Sequence, residues 1–154
     1  MFRDSFGNLL HEDLAESFGT ACFSRAMPCD LTLLEQEQAD TLVLEIVERN
    51  LPDLAKKAPV MKAPVRELTL PAQTVSAKVT METKPCKLDG CVQYTGTVEA
   101  SSMDEDSPIY LSLDGVVYEA TPAGDTPFSF TLYAPEAQTA DVLIRCGGVW
   151  MGCG

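Results

Sequence analysis

The chain has 154 residues, of which 45% are hydrophobic and 22% charged, enough apolar material to bury a core in one domain or two small ones. Eleven Lys and Arg against 23 Asp and Glu give a net charge of −12, which argues against nucleic acid, whose phosphates need a basic footprint, and against an anionic membrane surface. No apolar run approaches the roughly 18 residues of a membrane span, and Met1-Phe2-Arg3-Asp4-Ser5-Phe6 lacks the basic and apolar blocks of an export signal.

The charge divides the chain into three zones. Residues 1–51 carry net −7, residues 52–71 net +2, and residues 72–154 net −7. The first zone reads as helical. Leu10, Leu14, Phe18 and Cys22 recur at four-residue spacing, the pattern of one amphipathic face, until Gly19 and Pro28 weaken and end it. Thr32 and Glu35 have capping-box spacing, so a second helix is expected to run on through Ala39, Leu42, Val43, Ile46, Val47 and Leu51. A strand over Thr41–Val47 is the rival, because Leu42, Leu44 and Ile46 also alternate.

The second zone holds Pro52, Pro59, Pro64 and Pro71 and a tandem repeat, Lys57-Ala58-Pro59-Val60 then Lys62-Ala63-Pro64-Val65. Proline removes a donor and pushes its predecessor toward extended geometry, which predicts a polyproline-like strap, either a plain linker or an arm laid on a partner. The third zone changes to period-two patterns. Strands are expected at Thr74–Met81, Cys91–Ala100, Ile109–Leu113, Val116–Ala120, Phe128–Tyr133 and Ala140–Cys146, with a short tail at Val149–Met151. Asp114-Gly115 and Asp89-Gly90 supply the positive φ that tight hairpins demand. Short strands with turns every 8–12 residues predict an antiparallel β-sandwich, making the chain α+β.

Chemistry is thinly signalled. Six cysteines at 22, 29, 86, 91, 146 and 153 form three local pairs, read as reduced thiols, as disulfides or as metal ligands. No C-x-x-C redox motif is present, and Cys86-x4-Cys91 exceeds the usual zinc spacing. His11, the single histidine, lies in an acidic stretch beside no recognisable nucleophile. Asp104-Glu105-Asp106 offers oxygens but lacks a spaced calcium-ligand pattern. No phosphate loop, dinucleotide fingerprint or metalloprotease motif occurs, so no catalytic residue and no cofactor is expected. What remains is apolar. Phe2, Phe6, Leu10, Leu14 and Phe18 are the expected partner-binding side chains, buried against a neighbouring subunit or against the chain's own sheets. Trp150, in a glycine-rich tail, is expected either as an interface anchor or as a core residue.

Pro108 to Gly148 resembles immunoglobulin-like modules through the Asp114-Gly115 hairpin, Phe128-Ser129-Phe130-Thr131-Leu132 and Asp141-Val142-Leu143-Ile144-Arg145. Trp150 departs from the antibody pattern because it follows Cys146, and the resemblance implies a Cys91–Cys146 bridge. A helical anchor (1–51), a strap (52–71) and a sandwich head (72–154) together are similar to the decoration or cement proteins of tailed phages. That resemblance implies a non-catalytic, homo-oligomeric accessory whose partners are capsid or other virion subunits, assembled in the host cytoplasm. The alternatives are an acidic module that captures a basic or nucleic-acid-handling partner, and a cysteine-based metal or thiol protein.

Overall fold

The computed structural model describes residues 1–70, 75–99, 107–124, 126 and 128–153, with the side chains of Ala55, Val75 and Cys153 excepted. Two compact units result, Met1–Met61 and Lys62–Gly154. The acidic stretch Asp104-Glu105-Asp106 lies outside the described residues.

In the N-terminal unit the chain opens on a short strand, β1 (Phe2–Arg3). A 3-10 turn over Phe6–Leu10 leads into α1 (His11–Ser17), and α2 (Thr32–Gln36), β2 (Leu44–Glu45) and α3 (Leu51–Lys56) follow. β1 is the backbone hub of the unit. It pairs in parallel with β2, Phe2 opposite Leu44 and Arg3 opposite Glu45, and bridges to Ser24 on its other side. Phe2 N donates to Val43 O at 2.9 Å, Arg3 N to Ser24 O at 3.0 Å and Ser24 N to Met1 O at 2.9 Å.

This arrangement corrects the helical reading of residues 1–51. α1 stops at Phe18, whose φ −124 and ψ 147 are extended, so the expected face ends before Cys22. α2 has only five residues and is followed by Gln38 at φ 50, a left-handed conformation that an α-helix cannot pass through. The apolar run from Ala39 to Val47 is therefore no helix, and only the 3-10 turn Glu48–Asn50 and the start of α3 at Leu51 are helical. The centre of the run is a strand, because Val43 and Leu44 satisfy the backbone of β1, and tertiary pairing overrides helical periodicity. Thr32 does not cap. The cap position is Leu31, without a side-chain cap bond, and Asp30 turns the chain just ahead of it, its Oδ1 accepting from Thr32 N at 3.1 Å and Thr32 Oγ1 at 2.6 Å.

The proline-rich stretch is likewise not one extended strap. Its first residues form α3, with Pro52 in the first turn, Asp53 near the N-terminal end and Lys56 near the C-terminal end, each placed where the helix tolerates or favours it. The two repeat copies are then used separately. In the first, Val60 N donates to Cys29 O and Val60 O accepts from Leu31 N, both at 2.9 Å, within the N-terminal unit. In the second, Ala63 N donates to Tyr133 O at 2.8 Å and Pro64 O accepts from Glu119 N at 3.0 Å, and Arg66 N, just beyond the repeat, donates to Val117 O at 2.8 Å. Extended, donor-poor segments suit this role: they satisfy a sheet edge and leave little unpaired backbone of their own.

The C-terminal unit is built from β3 (Val75–Ser76), β4 (Lys78–Pro85), β5 (Val92–Glu99), β6 (Ile109–Leu113), β7 (Val116–Glu119), β8 (Thr121–Pro122), β9 (Ser129–Ala134), β10 (Ala140–Cys146) and β11 (Val149–Cys153). One sheet has the order β3-β11-β10-β6-β7 and the other β4-β5-β9-β8. Every pairing is antiparallel except β3 with β11. The expected strand from Thr74 is divided at buried Ala77, so that β3 joins one sheet and β4 the other; Thr74 itself lies outside the described residues.

One apolar core draws on both sheets: Val98, Phe130 and Leu132 from one, Leu111, Val142, Ile144 and Met151 from the other. Asp114 and Gly115, at φ 48 and φ 84, form the β6–β7 turn that their residue types predict. The Asp114 carboxylate reaches across to the loop before β10, accepting from Gln138 N at 3.2 Å and from Thr139 N and Oγ1 at 2.9 Å. Those donors hold its pKa below the ordinary aspartate range, the Thr139 amide most strongly. The whole is thus a mixed helix and sheet protein with few and short helices.

Candidate partner-binding surface

The 3-10 turn Phe6–Leu10 carries the two most exposed large apolar side chains of the N-terminal unit, Leu9 and Phe6, together with Leu10. Phe6 is 53% exposed, Leu9 84% and Leu10 41%. Only Gly7 of this turn is buried, and it has no room for a side chain: a Cβ there would lie 2.8 Å from the Cβ of Arg3 and 2.7 Å from Glu45 Oε2. Close backbone contact at Gly7 therefore pins the turn while its flanking apolar side chains face outward.

Asp4 sets the entry to this turn. Its Oδ1 accepts from Phe6 N at 2.8 Å, and its Oδ2 accepts from Val47 N at 2.9 Å and Asn50 Nδ2 at 3.4 Å. The Val47 amide, then the Phe6 amide, hold the carboxyl below the usual aspartate range, with Asn50 and Arg49 adding to the effect. Arg49 also lies over the Phe6 ring, its guanidinium carbon 5.3 Å from the centroid. One carboxylate thus ties the start of the chain to residues 47–50 and fixes the direction in which Phe6 projects.

Of the five N-terminal residues expected at an interface, the structure separates three from two. Phe2, Leu14 and Phe18 line a groove of about 430 Å³, together with Phe23, Leu33 and Val43. Within it Phe2 is only 4% exposed, because it sits on β1 between two paired segments; it supports the unit's interior and presents no open surface. Phe18 remains 40% exposed at the end of α1. Phe6 and Leu10 stand on the pinned turn. Leu9, which flanks the helical stripe, is the most exposed of the group, and Leu42, Leu44 and Leu51 are also open. The helical period puts Leu42 and Leu51 on one apolar face, whereas Leu44 belongs to the rival strand reading, and it is in strand β2 that it stands.

Trp150 belongs to the C-terminal unit. It stands on β11 opposite Arg145 of β10, while Met151 and Ile144 of the next pair turn into the core. Side chains alternate along a strand, so Trp150 lies on the outer face of the five-stranded sheet and is not a core residue. Its ring is 5.7 Å from that of Tyr110 and 5.8 Å from the Arg145 guanidinium carbon.

Cys22, Cys29, Cys86, Cys91 and Cys146 are all free thiols, which corrects the implied Cys91–Cys146 bridge. Cys146 is instead buried at the end of β10 and lies 3.1 Å from Ser107 Oγ, and Cys86 Sγ lies 3.3 Å from Cys91 O. Burial pushes the Cys29 thiol up. His11 rests against the Phe23 ring at 4.3 Å, and its buried Nε2 has no hydrogen-bond partner among the described residues. Among the described residues, no group of three or more His, Cys, Asp or Glu is placed to hold a metal ion. No helix among them is long and apolar enough to cross a membrane. No protein-family model, curated protein or solved structure matches the chain.

Proposed function

We propose that this chain is a non-catalytic structural protein that joins copies of itself, or a larger protein assembly, through the apolar surface of its N-terminal unit. The observation that carries this reading is the Phe6–Leu10 turn, which holds Phe6, Leu9 and Leu10 in the open on a backbone fixed by Asp4 and Gly7. Large apolar side chains on a rigid turn lose little conformational freedom on docking, and that favours interface use. A decoration or cement-type accessory of a virion, assembled in the host cytoplasm, is the role of this kind that the overall plan resembles.

The sheets support an immunoglobulin-like sandwich for the C-terminal unit. With β4 taken as strand A, the order β4-β5-β9-β8 reads A-B-E-D, and β11-β10-β6-β7 reads G-F-C-C′, the arrangement of that fold. Such a body displays its loops outward and needs no cofactor to fold, which suits a surface component. A net charge of −12 would keep the whole chain soluble and self-repelling away from the apolar contact.

The test is native mass spectrometry of the full chain beside a Leu9→Ser/Leu10→Ser variant. These substitutions leave β1 intact, whereas deleting Phe2 to Phe6 would remove it. An oligomer for the parent and a monomer with an unchanged circular dichroism spectrum for the variant would support the proposal. A parent that is monomeric at all concentrations would count against self-association. An oligomer that survives both substitutions would place the interface elsewhere.

A further inference from the structure

The β4–β5 hairpin ends in two cysteines that nothing above employs. Its ladder runs from Lys78 opposite Glu99 to Pro85 opposite Val92, so the next facing pair in the same register is Cys86 and Cys91. The paired ladder ends at Pro85 and Val92, and the two cysteines flank the turn that follows. Cys91 N donates to Leu88 O at 3.1 Å, closing the turn with Gly90 at φ 69, and Cys86 Sγ lies 3.3 Å from Cys91 O. Buried Leu88 anchors the turn. Facing residues of an antiparallel pair have Cα atoms about 4.5–5.5 Å apart, inside the range of roughly 4.4–6.8 Å that a disulfide spans.

We propose that Cys86 and Cys91 form a dithiol site that reacts with low-molecular-weight disulfides of the glutathione class and closes to a disulfide across the hairpin. The thiolate of Cys86 attacks one sulfur of the oxidised disulfide; the S–S bond of the reagent breaks and one small thiolate leaves, giving a mixed disulfide on Cys86. The Cys91 thiolate then attacks the Cys86 sulfur and displaces the second small thiolate. The two protons lost by the cysteines end on the two released thiols. The protein is oxidised by two electrons and the reagent reduced by two. Burial raises the Cys91 thiol, with the Lys62 ammonium opposing it, and this suits Cys91 to the second step, where the attacked sulfur is already held opposite it. Cys22, Cys29 and Cys146 lack such a partner among the described residues: Cys22 is exposed, Cys29 is buried, and Cys146 faces Val149 across its strand pair.

The experiment equilibrates the full chain with oxidised and reduced glutathione at graded ratios, blocks free thiols and maps peptides after trypsin. Cleavage after Lys87 separates the cysteines, so a bridge appears as Val79–Lys87 joined to Leu88–Arg145, each holding one cysteine. The expected result is this linked pair, two hydrogens lighter than the sum of the reduced peptides, at ratios where Cys22 carries a glutathione adduct. A Cys91→Ser variant should stop at the mixed disulfide on Cys86. Separate glutathione adducts on Cys86 and Cys91 in the parent would overturn the proposal. So would two thiols that stay free while Cys22 is modified.

Discussion

Gly96 lies in the middle of β5, opposite Phe130 of β9 and Met81 of β4. A Cβ added there would fall 2.6 Å from Phe130 Cζ and closer still to the backbone oxygen of Thr80. Neither neighbour can yield cheaply, since Phe130 is 1% exposed and Thr80 is fixed in the β4–β5 ladder. Overpacking of this kind costs about 1–3 kcal/mol, while alanine recovers roughly 0.5–1 kcal/mol of the entropy that glycine loses on ordering. Gly96→Ala should therefore destabilise the C-terminal unit by about 1–2 kcal/mol. With a urea slope on the order of 1–2 kcal/mol per molar, the midpoint falls by about 1 M. Trp150 of β11, the sole tryptophan, is half-buried against Tyr110 of β6, so its fluorescence reports this unit alone. In a Phe130→Leu background the ring edge is gone and only the Thr80 contact remains, so the penalty should shrink, with coupling on the order of 0.5–3 kcal/mol. A Gly96→Ala midpoint equal to the parent's, or a penalty undiminished by Phe130→Leu, would refute the argument.

Tyr94 is 3% exposed, and its hydroxyl donates to Pro135 O and accepts from Ala137 N, both at 3.0 Å. Tyr94→Phe leaves both backbone groups short of a partner, and the same urea titration should show a loss of roughly 1–3 kcal/mol. The Asp4 carboxyl titrates below its ordinary value of 3.8 in the folded chain, so the support it gives the N-terminal unit is complete above that pH. That support is lost as the pH falls through the lower folded value. A pH series of the Val47 amide resonance should show its midpoint below that ordinary value, and a midpoint at or above it would contradict the assigned hydrogen bonds. Asp4→Asn should release the Phe6 and Val47 amides to faster hydrogen exchange at neutral pH while leaving the β4–β5 ladder protected.

The sequence by itself determined the features that depend on neighbours along the chain. Asp114-Gly115 became a hairpin turn because those residues tolerate positive φ wherever they sit, and the alternating runs around it became strands. The composition was rich enough in apolar residues for the core that both sheets share. At the candidate surface, four-residue spacing marked Leu10, Leu14 and Phe18, but spacing reports only which residues share a helical face. Whether Leu42 was buried on such a face depended on Gln38 breaking the helix and on β1 recruiting the neighbouring Leu44 into a strand. Phe2 was spent on the interior for the same reason.

Only the tertiary structure decided how the proline repeats were used. Two nearly identical tetrapeptides have the same local preferences, yet one pairs with Cys29 and Leu31 and the other with the edges of β7 and β9. The placement of Trp150 on the outer face of its sheet likewise follows from its register with Arg145. Local sequence sets the conformations a segment can adopt cheaply; the backbone partners that satisfy its hydrogen bonds lie far away in the chain, and they select among them.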